Sequence, residues 1–329
     1  MEIRSISDWV KAQGFGIGEK DRCGNTLMHM VGEKGRWDVL DWLKEQGLDV
    51  NARNNDGETP MHCAAMKGRV EIMKRLKEHG ADIHARSHKG STPMHYAAAG
   101  SVCGAVEAIE WLKEQGADVN ARNNDGVTPM HLATHLDGAG TLKKLKEYGA
   151  DVNARSHNGM TPIHHAAACI YDDDTFILVV EILTWLKEQG ADVNVKSNTG
   201  TTPMHLAARF DNARTMTWLK KHGADIHVRR NDGSTPMHYA AAGDAPRIAT
   251  EAIEWLKKRG ADVNARRDDG ATPMHEAARN GSVKTMRCLG ADIHARDNEG
   301  LTPLDLAVAG NHTEAIEWLK KQGVSSSEA

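Results

Sequence analysis

Small apolar residues and polar residues follow one another in an order that repeats about every 33 residues along the chain. Each unit opens with a Thr-Pro-Met-His string, as at Thr59, which is followed by an Ala-Ala patch. A second segment follows, and in the next repeat its residues Ile109 and Leu112 share one helical stripe. The intervals between successive strings are 33, 33, 36, 33, 41, 33, 37 and 30 residues. The string or a close variant starts at Thr26, Thr59, Thr92, Thr128, Thr161, Thr202, Thr235, Thr272 and Thr302. This recurrence indicates one structural unit written nine times.

Each unit contains the start and stop signals of two short helices. Thr59 before Pro60 predicts a helix N-cap followed by the residue best tolerated at the first helical position. The second segment ends on Gly116, a residue that favours the left-handed conformation after a helix. Asn-Asp-Gly at residues 55–57 and 124–126 predicts a tight hairpin turn between units. Each unit is therefore predicted to be a turn followed by two helices.

Such a helix pair cannot bury its apolar surface alone, so neighbouring units must stack into a one-dimensional array. The first helices have small residues where they meet their neighbours, for example Ala64, Ala65, Ala97 and Ala98. Small residues let helices lie close together. We therefore expect a curved stack with a concave face.

The repeated unit resembles the ankyrin repeat. The T-P-L-H-x-A-A and G-A-D-V-N-A signatures both occur, with Met mostly replacing Leu in the first. The resemblance implies an all-α ankyrin-repeat solenoid of stacked helix-turn-helix units with hairpin loops, curved with a concave face. We expect an N-terminal capping half repeat at residues 1–18, nine repeats at 19–323 and a polar tail at 324–329. The last repeat departs from the pattern, since Asp305 stands where the other repeats have His.

Four places depart from the 33-residue period. Extra residues near 170–176, 100–105 and 243–248 fall between the two helices of a repeat, where they extend a loop without breaking the stack. The eighth repeat lacks about three residues near 281–290, or roughly 4.5 Å of helix. We expect a weak or skewed joint there.

The histidines of the Thr-x-x-His motif are of a residue type that serves in catalysis and in metal binding. A side chain that recurs in every repeat favours a structural role, and we expect each ring to bind its own Thr or the adjacent turn. His131 and His135 lie one helical turn apart, but no Cys or carboxylate stands at a spacing that would complete a zinc site. The Trp residues of the second helices are predicted to belong to the core. We therefore expect no catalytic residue, no metal and no cofactor.

Charge and composition restrict the partner. The formal net charge is −4, with both signs mixed, which gives no general attraction to nucleic acid or to an anionic membrane. The five cysteines lack a C-x-x-C spacing, and no stretch of 18 apolar residues occurs. We expect a monomeric cytoplasmic chain with a protein partner and no membrane contact, and the net charge disfavours nucleic acid.

In the ankyrin family the surface that binds partners comprises the hairpin tips and the exposed side of the first helices. The tips have a recurring cation, which would form a basic ladder; alternatively, each Arg pairs with a neighbouring Asp such as Asp56, Asp125, Asp232 or Asp268. The ladder residues are Arg53, Arg86, Arg122, Arg155, Lys196, Arg229, Arg266 and Arg296. Doubled arginines at 229–230 and 266–267 favour a protein partner with an acidic patch.

The predicted partner-binding residues combine these arginines with the varied first-helix side chains. They are Met66, Tyr96, His135, Leu136, His165, Arg209, Phe210, Arg229, Arg230, Tyr239, Arg266, Arg267, Glu276 and Arg279. The resulting hypothesis is a non-catalytic protein-binding scaffold, whether adaptor, inhibitor or effector. The alternative is binding of a polyanion or nucleic acid through the ladder.

Overall fold

The computed structural model describes residues 6–14, 16–100, 104–135, 139–169, 176–243 and 250–324. Within these ranges the chain forms nineteen α-helices and no β-strand. Two units are distinguished: an N-terminal unit, Met1–His157, and a C-terminal unit, Asn158–Ala329.

The N-terminal unit contains helices α1 to α9. Their bounds are α1 Ile6–Ala12, α2 Leu27–Lys34, α3 Trp37–Glu45, α4 Pro60–Met66, α5 Val70–Glu78, α6 Pro93–Ala99, α7 Ala105–Glu114, α8 Pro129–Leu132 and α9 Ala139–Glu147. The C-terminal unit contains helices α10 to α19. Their bounds are α10 Pro162–Ala168, α11 Phe176–Glu188, α12 Pro203–Arg209, α13 Ala213–Lys221, α14 Pro236–Ala241, α15 Glu251–Lys257, α16 Pro273–Arg279, α17 Val283–Leu289, α18 Pro303–Ala309 and α19 Thr313–Lys321.

The Thr-Pro-Met-His string starts a helix for the predicted reason. Thr59 is extended, with φ −108° and ψ 165°, and Pro60 is the first helical residue of α4. The backbone N–H of Thr59 donates to Nδ1 of His62 at 3.1 Å, so the histidine three residues on satisfies the N-cap. In α18 the carboxylate of Asp305 takes this role and accepts from Thr302 N–H at 2.8 Å. The predicted helix start is therefore confirmed.

Neighbouring first helices pack on one another within each unit, α2 on α4 and α4 on α6 in the first, α10 on α12 and α12 on α14 in the second. Met61, Ala64 and Ala65 of α4 have no exposed surface. Full burial of a side chain the size of Met61 contributes about 1.5–3 kcal/mol. The alanines add little volume, which allows the close helix contact.

The second helices bury one stripe, as Ile72, Met73 and Leu76 do in α5. The tryptophans predicted for the core are buried or half-buried, which confirms that prediction. They are Trp9, Trp42, Trp111, Trp185, Trp218, Trp255 and Trp318. Trp37, the eighth tryptophan, starts α3 outside the repeated position and is 53% exposed. The guanidinium of Arg75 lies 5.0 Å from its ring centroid.

Helix α17 is shortened, as the sequence predicts. It has seven residues, whereas α13 and α19 have nine, and Gly290, the residue that directly follows it, has φ 55°. The Nζ of Lys257 donates to the carbonyls of Cys288 at 2.7 Å and Leu289 at 2.9 Å. A side chain from the preceding repeat thus satisfies carbonyls that the missing residues leave exposed.

Several sequence-based expectations lie outside the described residues. These are the extra residues at 101–103, 170–175 and 244–249, and the tail from residue 325 onward. The boundaries of cap, array and tail stay a prediction, as does the weak joint in the eighth repeat. In the described ranges no helix has the length and apolarity needed to cross a membrane.

Candidate functional site

The motif histidines link successive repeats. Because Nδ1 of His62 accepts the backbone N–H of Thr59, the ring proton must lie on Nε2, which donates to the Ser91 carbonyl at 3.1 Å. The same link joins His29 to Glu58, His95 to Val127, His164 to Thr201, His205 to Ser234, His238 to Ala271 and His275 to Leu301. The predicted bond to the preceding Thr is confirmed, and the ring also holds the next repeat.

Burial lowers the pKa of these rings. His62, His95, His205 and His238 each have a pKa of about 4, because desolvation disfavours the charged ring. A neutral ring is also what the hydrogen bonds require, since a protonated Nδ1 would meet the Thr N–H as a second donor. These side chains are structural.

Five of the hairpin-tip arginines bond to the next hairpin and not to a neighbouring aspartate in the described part of the chain: Arg53, Arg86, Arg122, Arg229 and Arg266. Arg53 Nη1 donates to the carbonyl of Arg86, the next tip, at 2.7 Å. The same bond runs from Arg86 to Arg122, Arg122 to Arg155, Arg229 to Arg266 and Arg266 to Arg296. The long side chain reaches the next hairpin, whose tip carbonyl lies outside any helix. The expected Arg–Asp pairing is therefore wrong for these residues, and the ladder acts as a set of links between repeats.

The second arginine of each doubled pair, Arg230 or Arg267, does form an ion pair with an aspartate of its own turn. At the equivalent position, Asn54 Oδ1 accepts the N–H groups of Asp56 at 3.0 Å and Glu58 at 2.9 Å. Arginine cannot accept, so in the later hairpin Asp232 Oδ1 accepts the N–H of Ser234 at 3.0 Å. The guanidinium of Arg230 then pairs with Asp232 at 2.9 Å and lies 5.3 Å from the ring centroid of Tyr239 on α14.

Arg267 repeats this arrangement one hairpin later. Asp269 accepts the Ala271 N–H at 3.0 Å and pairs with Arg267 at 2.8 Å. Arg267 Nη1 also lies 2.7 Å from Oε1 of Glu276 on α16, and Arg279 Nη1 lies 3.1 Å from the same oxygen. Glu276 was predicted as a surface contact, yet it is only 8% exposed because these arginines cover it.

Five of the predicted residues meet at one recess of the C-terminal unit. A cavity of about 180 Å³ there has Arg209, Arg230, Tyr239, Arg267 and Glu276 in its lining. We call it the arginine recess. Arg279 joins it through Glu276, whereas Arg229 and Arg266 remain at the hairpin tips. Phe210 directly follows α12 and His165 lies in the middle of α10, and both are half-buried.

The N-terminal unit has a recess whose lining contains three acidic side chains. A cavity of about 380 Å³ is lined by Glu33, Asp56, Glu58 and Met66, and Met66 is 43% exposed. The hydroxyl of Tyr96 donates to Glu58 Oε1. Sequence reasoning missed Glu33 and Glu58. Glu58 could have been noticed, because it precedes Thr59 at a position where the other repeats have uncharged residues.

Two of the predicted partner-binding residues, His135 and Leu136, are not among the residues that the structure describes in the lining of either recess. His135 is exposed just beyond α8, and Leu136 lies outside the described residues. Their role in binding stays a prediction.

The comparison with protein families identifies the fold. A family model described as ankyrin repeats, three copies, matches residues 6–87, 27–123, 94–179, 176–266 and 245–327. The chain therefore belongs to the ankyrin-repeat family. A search of the curated proteins found no match.

Ankyrin repeats generally serve as protein–protein interaction scaffolds and are generally not catalytic. In the ranges that the structure describes, no group of three or more His, Cys, Asp or Glu side chains is arranged to hold a metal ion. The chemistry that the two recesses offer is recognition, through arginine, tyrosine and carboxylate groups.

Proposed function

We propose that this chain is a protein-binding scaffold, acting as an adaptor, inhibitor or effector, whose contact surface comprises the hairpins and the exposed side of the first helices. The observation that carries the proposal is the arginine recess, where Arg230, Tyr239, Arg267 and Glu276 depart from the repeat and lie together. Arginine and tyrosine are among the side chains that most often supply binding energy at protein interfaces.

Rigidity supports the same function. The histidine and arginine links join backbone groups of successive repeats, as between His205 and Ser234 or Arg229 and Arg266. A surface held in place before binding loses little conformational entropy when a partner docks. We also propose that the chain acts as a cytoplasmic monomer with a protein partner that has an acidic patch.

The polyanion alternative has weaker support. The guanidinium groups of Arg53, Arg122, Arg229 and Arg266 each donate to a backbone carbonyl of the next hairpin. These donors are therefore partly engaged before any phosphate could approach.

A capture experiment tests the proposal. The full chain is immobilised in a cell extract, and bound proteins are identified by mass spectrometry at several salt concentrations. A variant with Tyr96→Ala, Phe210→Ala and Tyr239→Ala is expected to lose the specific partner. The matched control changes three exposed second-helix residues instead, namely Glu107→Ala, Lys220→Ala and Glu314→Ala.

Both variants are first shown by circular dichroism to keep the helical content of the wild type. Undiminished capture by the first variant would reject the surface. Equal loss in both variants would do the same, because the second-helix face would then matter as much.

A further inference from the structure

Tyr96 and Tyr239 occupy the same position in two repeats, but their hydroxyl groups have different surroundings. Each follows the motif histidine and packs edge-on against the histidine of the preceding repeat, Tyr96 at 4.9 Å from His62 and Tyr239 at 5.1 Å from His205. The Tyr96 hydroxyl donates to Glu58, which precedes the N-cap threonine of the previous repeat. The two sites therefore differ at the group that meets the hydroxyl.

In the C-terminal unit the residue that corresponds to Glu58 is Thr201, which has no carboxylate. Among the described residues, the Tyr239 hydroxyl makes no hydrogen bond. Tyr96 thus has an acidic partner within the chain, and Tyr239 lacks one.

Arginine side chains lie around Tyr239, and a carboxylate is the group that pairs with them. Arg230 lies over the ring, and its buried Nε has no hydrogen-bond partner. The recess lining contains Arg209, Arg230 and Arg267 together with Asp232 and Glu276, and at its edge Asp269 pairs with Arg267 and Arg279 with Glu276. Asp232 accepts a turn N–H and Glu276 is enclosed by Arg267 and Arg279, so both carboxylates hold the arginines in position.

We propose that the arginine recess binds a glutamate or aspartate side chain from an acidic segment of the partner protein. The carboxylate accepts from the Tyr239 hydroxyl and from the guanidinium of Arg230, which reproduces the Tyr96–Glu58 pair with a group supplied from outside. The inference rests on the proposed function and specifies the chemistry of its partner.

The spacing of the repeats suggests the form of the segment. Arg230 and Arg267 hold the same hairpin position in successive repeats, and packed helices lie roughly 8–10 Å apart. In a polyproline II segment, residues three apart face the same side at a separation of about 9 Å. Acidic residues at every third position of an extended segment therefore match the spacing of the repeats, with one carboxylate at Arg230 and the next facing the hairpin of Arg267.

Labelled peptides test this chemistry on the full chain by fluorescence anisotropy at neutral pH. The probe contains three Glu-Pro-Pro repeats, and the controls replace every Glu by Gln or by Lys. We expect the Glu peptide to bind saturably and the Gln peptide to bind about tenfold more weakly, because a charge-assisted hydrogen bond is about twice as strong as a neutral one. We expect no binding of the Lys peptide. Raising the salt concentration is expected to weaken binding of the Glu peptide.

Two matched pairs of variants locate the site. Tyr239→Phe is expected to weaken binding of the Glu peptide by about fivefold to tenfold, whereas Tyr96→Phe leaves it unchanged. Arg230→Gln is expected to abolish saturable binding, and Arg230→Lys to retain part of it, because lysine keeps the charge but loses the planar fork.

Three outcomes would overturn the inference: equal binding of the Glu and Gln peptides, no saturable binding of the Glu peptide at millimolar concentration, or equal effects of Tyr239→Phe and Tyr96→Phe. If the peptides fail while the aromatic triple variant still loses its captured protein, the acidic chemistry is wrong and the protein-binding function stands.

Discussion

Acidification from pH 7 to pH 5 should destabilise both units through the buried histidines. His62 and His95 in the N-terminal unit, and His205 and His238 in the C-terminal unit, have a pKa of about 4 in the folded chain. The ordinary value, expected after unfolding, is about 6.5. The unfolded chain therefore binds more protons below pH 6.5, so stability is fully present above that pH and falls progressively down to about pH 4.

The size of the loss follows from the two pKa values. Between pH 7 and pH 5 each histidine contributes a loss of about 2 kcal/mol, or about 4 kcal/mol in each unit. Asp211 opposes this change in the C-terminal unit. Desolvation raises its pKa to about 6, so its protonation in the folded state restores about 1 kcal/mol over the same range. Such losses are a large fraction of the whole stability of a typical domain, roughly 5–15 kcal/mol.

Urea unfolding followed by circular dichroism at pH 7 and pH 5 measures the effect. The variant His62→Asn isolates one ring, since the Asn amide oxygen can still accept the Thr59 N–H but does not titrate. We expect the variant to be less stable at pH 7, because it loses the bond to the Ser91 carbonyl, and to lose about 2 kcal/mol less than the wild type on acidification. Equal losses in the two proteins, or midpoints that do not move with pH, would refute the reasoning.

Two further changes probe the contacts between repeats. Lys257→Ala should lower the free energy of unfolding by about 1 kcal/mol in urea titrations, because the carbonyls at the end of α17, including that of Leu289, lose their donor; an unchanged midpoint would show that water replaces the lysine at no cost. Gly57→Ala should cost at least about 1 kcal/mol more than Gly80→Ala in thermal unfolding. Both glycines have positive φ, 72° and 88°, but a Cβ at Gly57 would lie 2.8 Å from the backbone nitrogen of His88, whereas Gly80 has open space. Equal effects of the two substitutions would contradict the close approach.

The helices could be predicted from the sequence because their signals are local. Thr59, Pro60 and His62 lie within one helical turn, so the N-cap and its partner are visible in a four-residue window. The shortened α17 was equally visible as a missing segment. The contact that compensates for it, from Lys257, depends on which side chain the stacked neighbour presents, and no local pattern indicates that.

The hairpin arginines show where local reasoning failed. Arg53 has Asp56 three residues away in sequence, which suggested an ion pair. The guanidinium instead donates to the carbonyl of Arg86, 33 residues away, because stacking brings the next hairpin within reach. The sequence predicts Glu276 as a surface contact, and it is buried for a related reason. Its burial comes from Arg267 of the hairpin that precedes its helix, and it follows from the folded geometry of the hairpin and not from helical periodicity.

The arginine recess depends on which side chain accepts the backbone N–H groups of the turn. In the hairpin of Asn54, the side-chain oxygen at this position accepts two backbone N–H groups, and the amide nitrogen donates to Asn25 Oδ1 at 2.9 Å and to Glu58 Oε2 at 3.0 Å. In the hairpin of Arg230, Asp232 accepts the turn N–H instead. The Arg230 side chain does not serve as the acceptor there, and its guanidinium lies over Tyr239. Asp stands two residues later in both hairpins, as Asp56 and as Asp232, so the change from Asn to Arg needs no second substitution to keep the turn N–H paired. The acceptor was therefore already present in the repeat, and the single change to arginine is enough to place a guanidinium beside Tyr239.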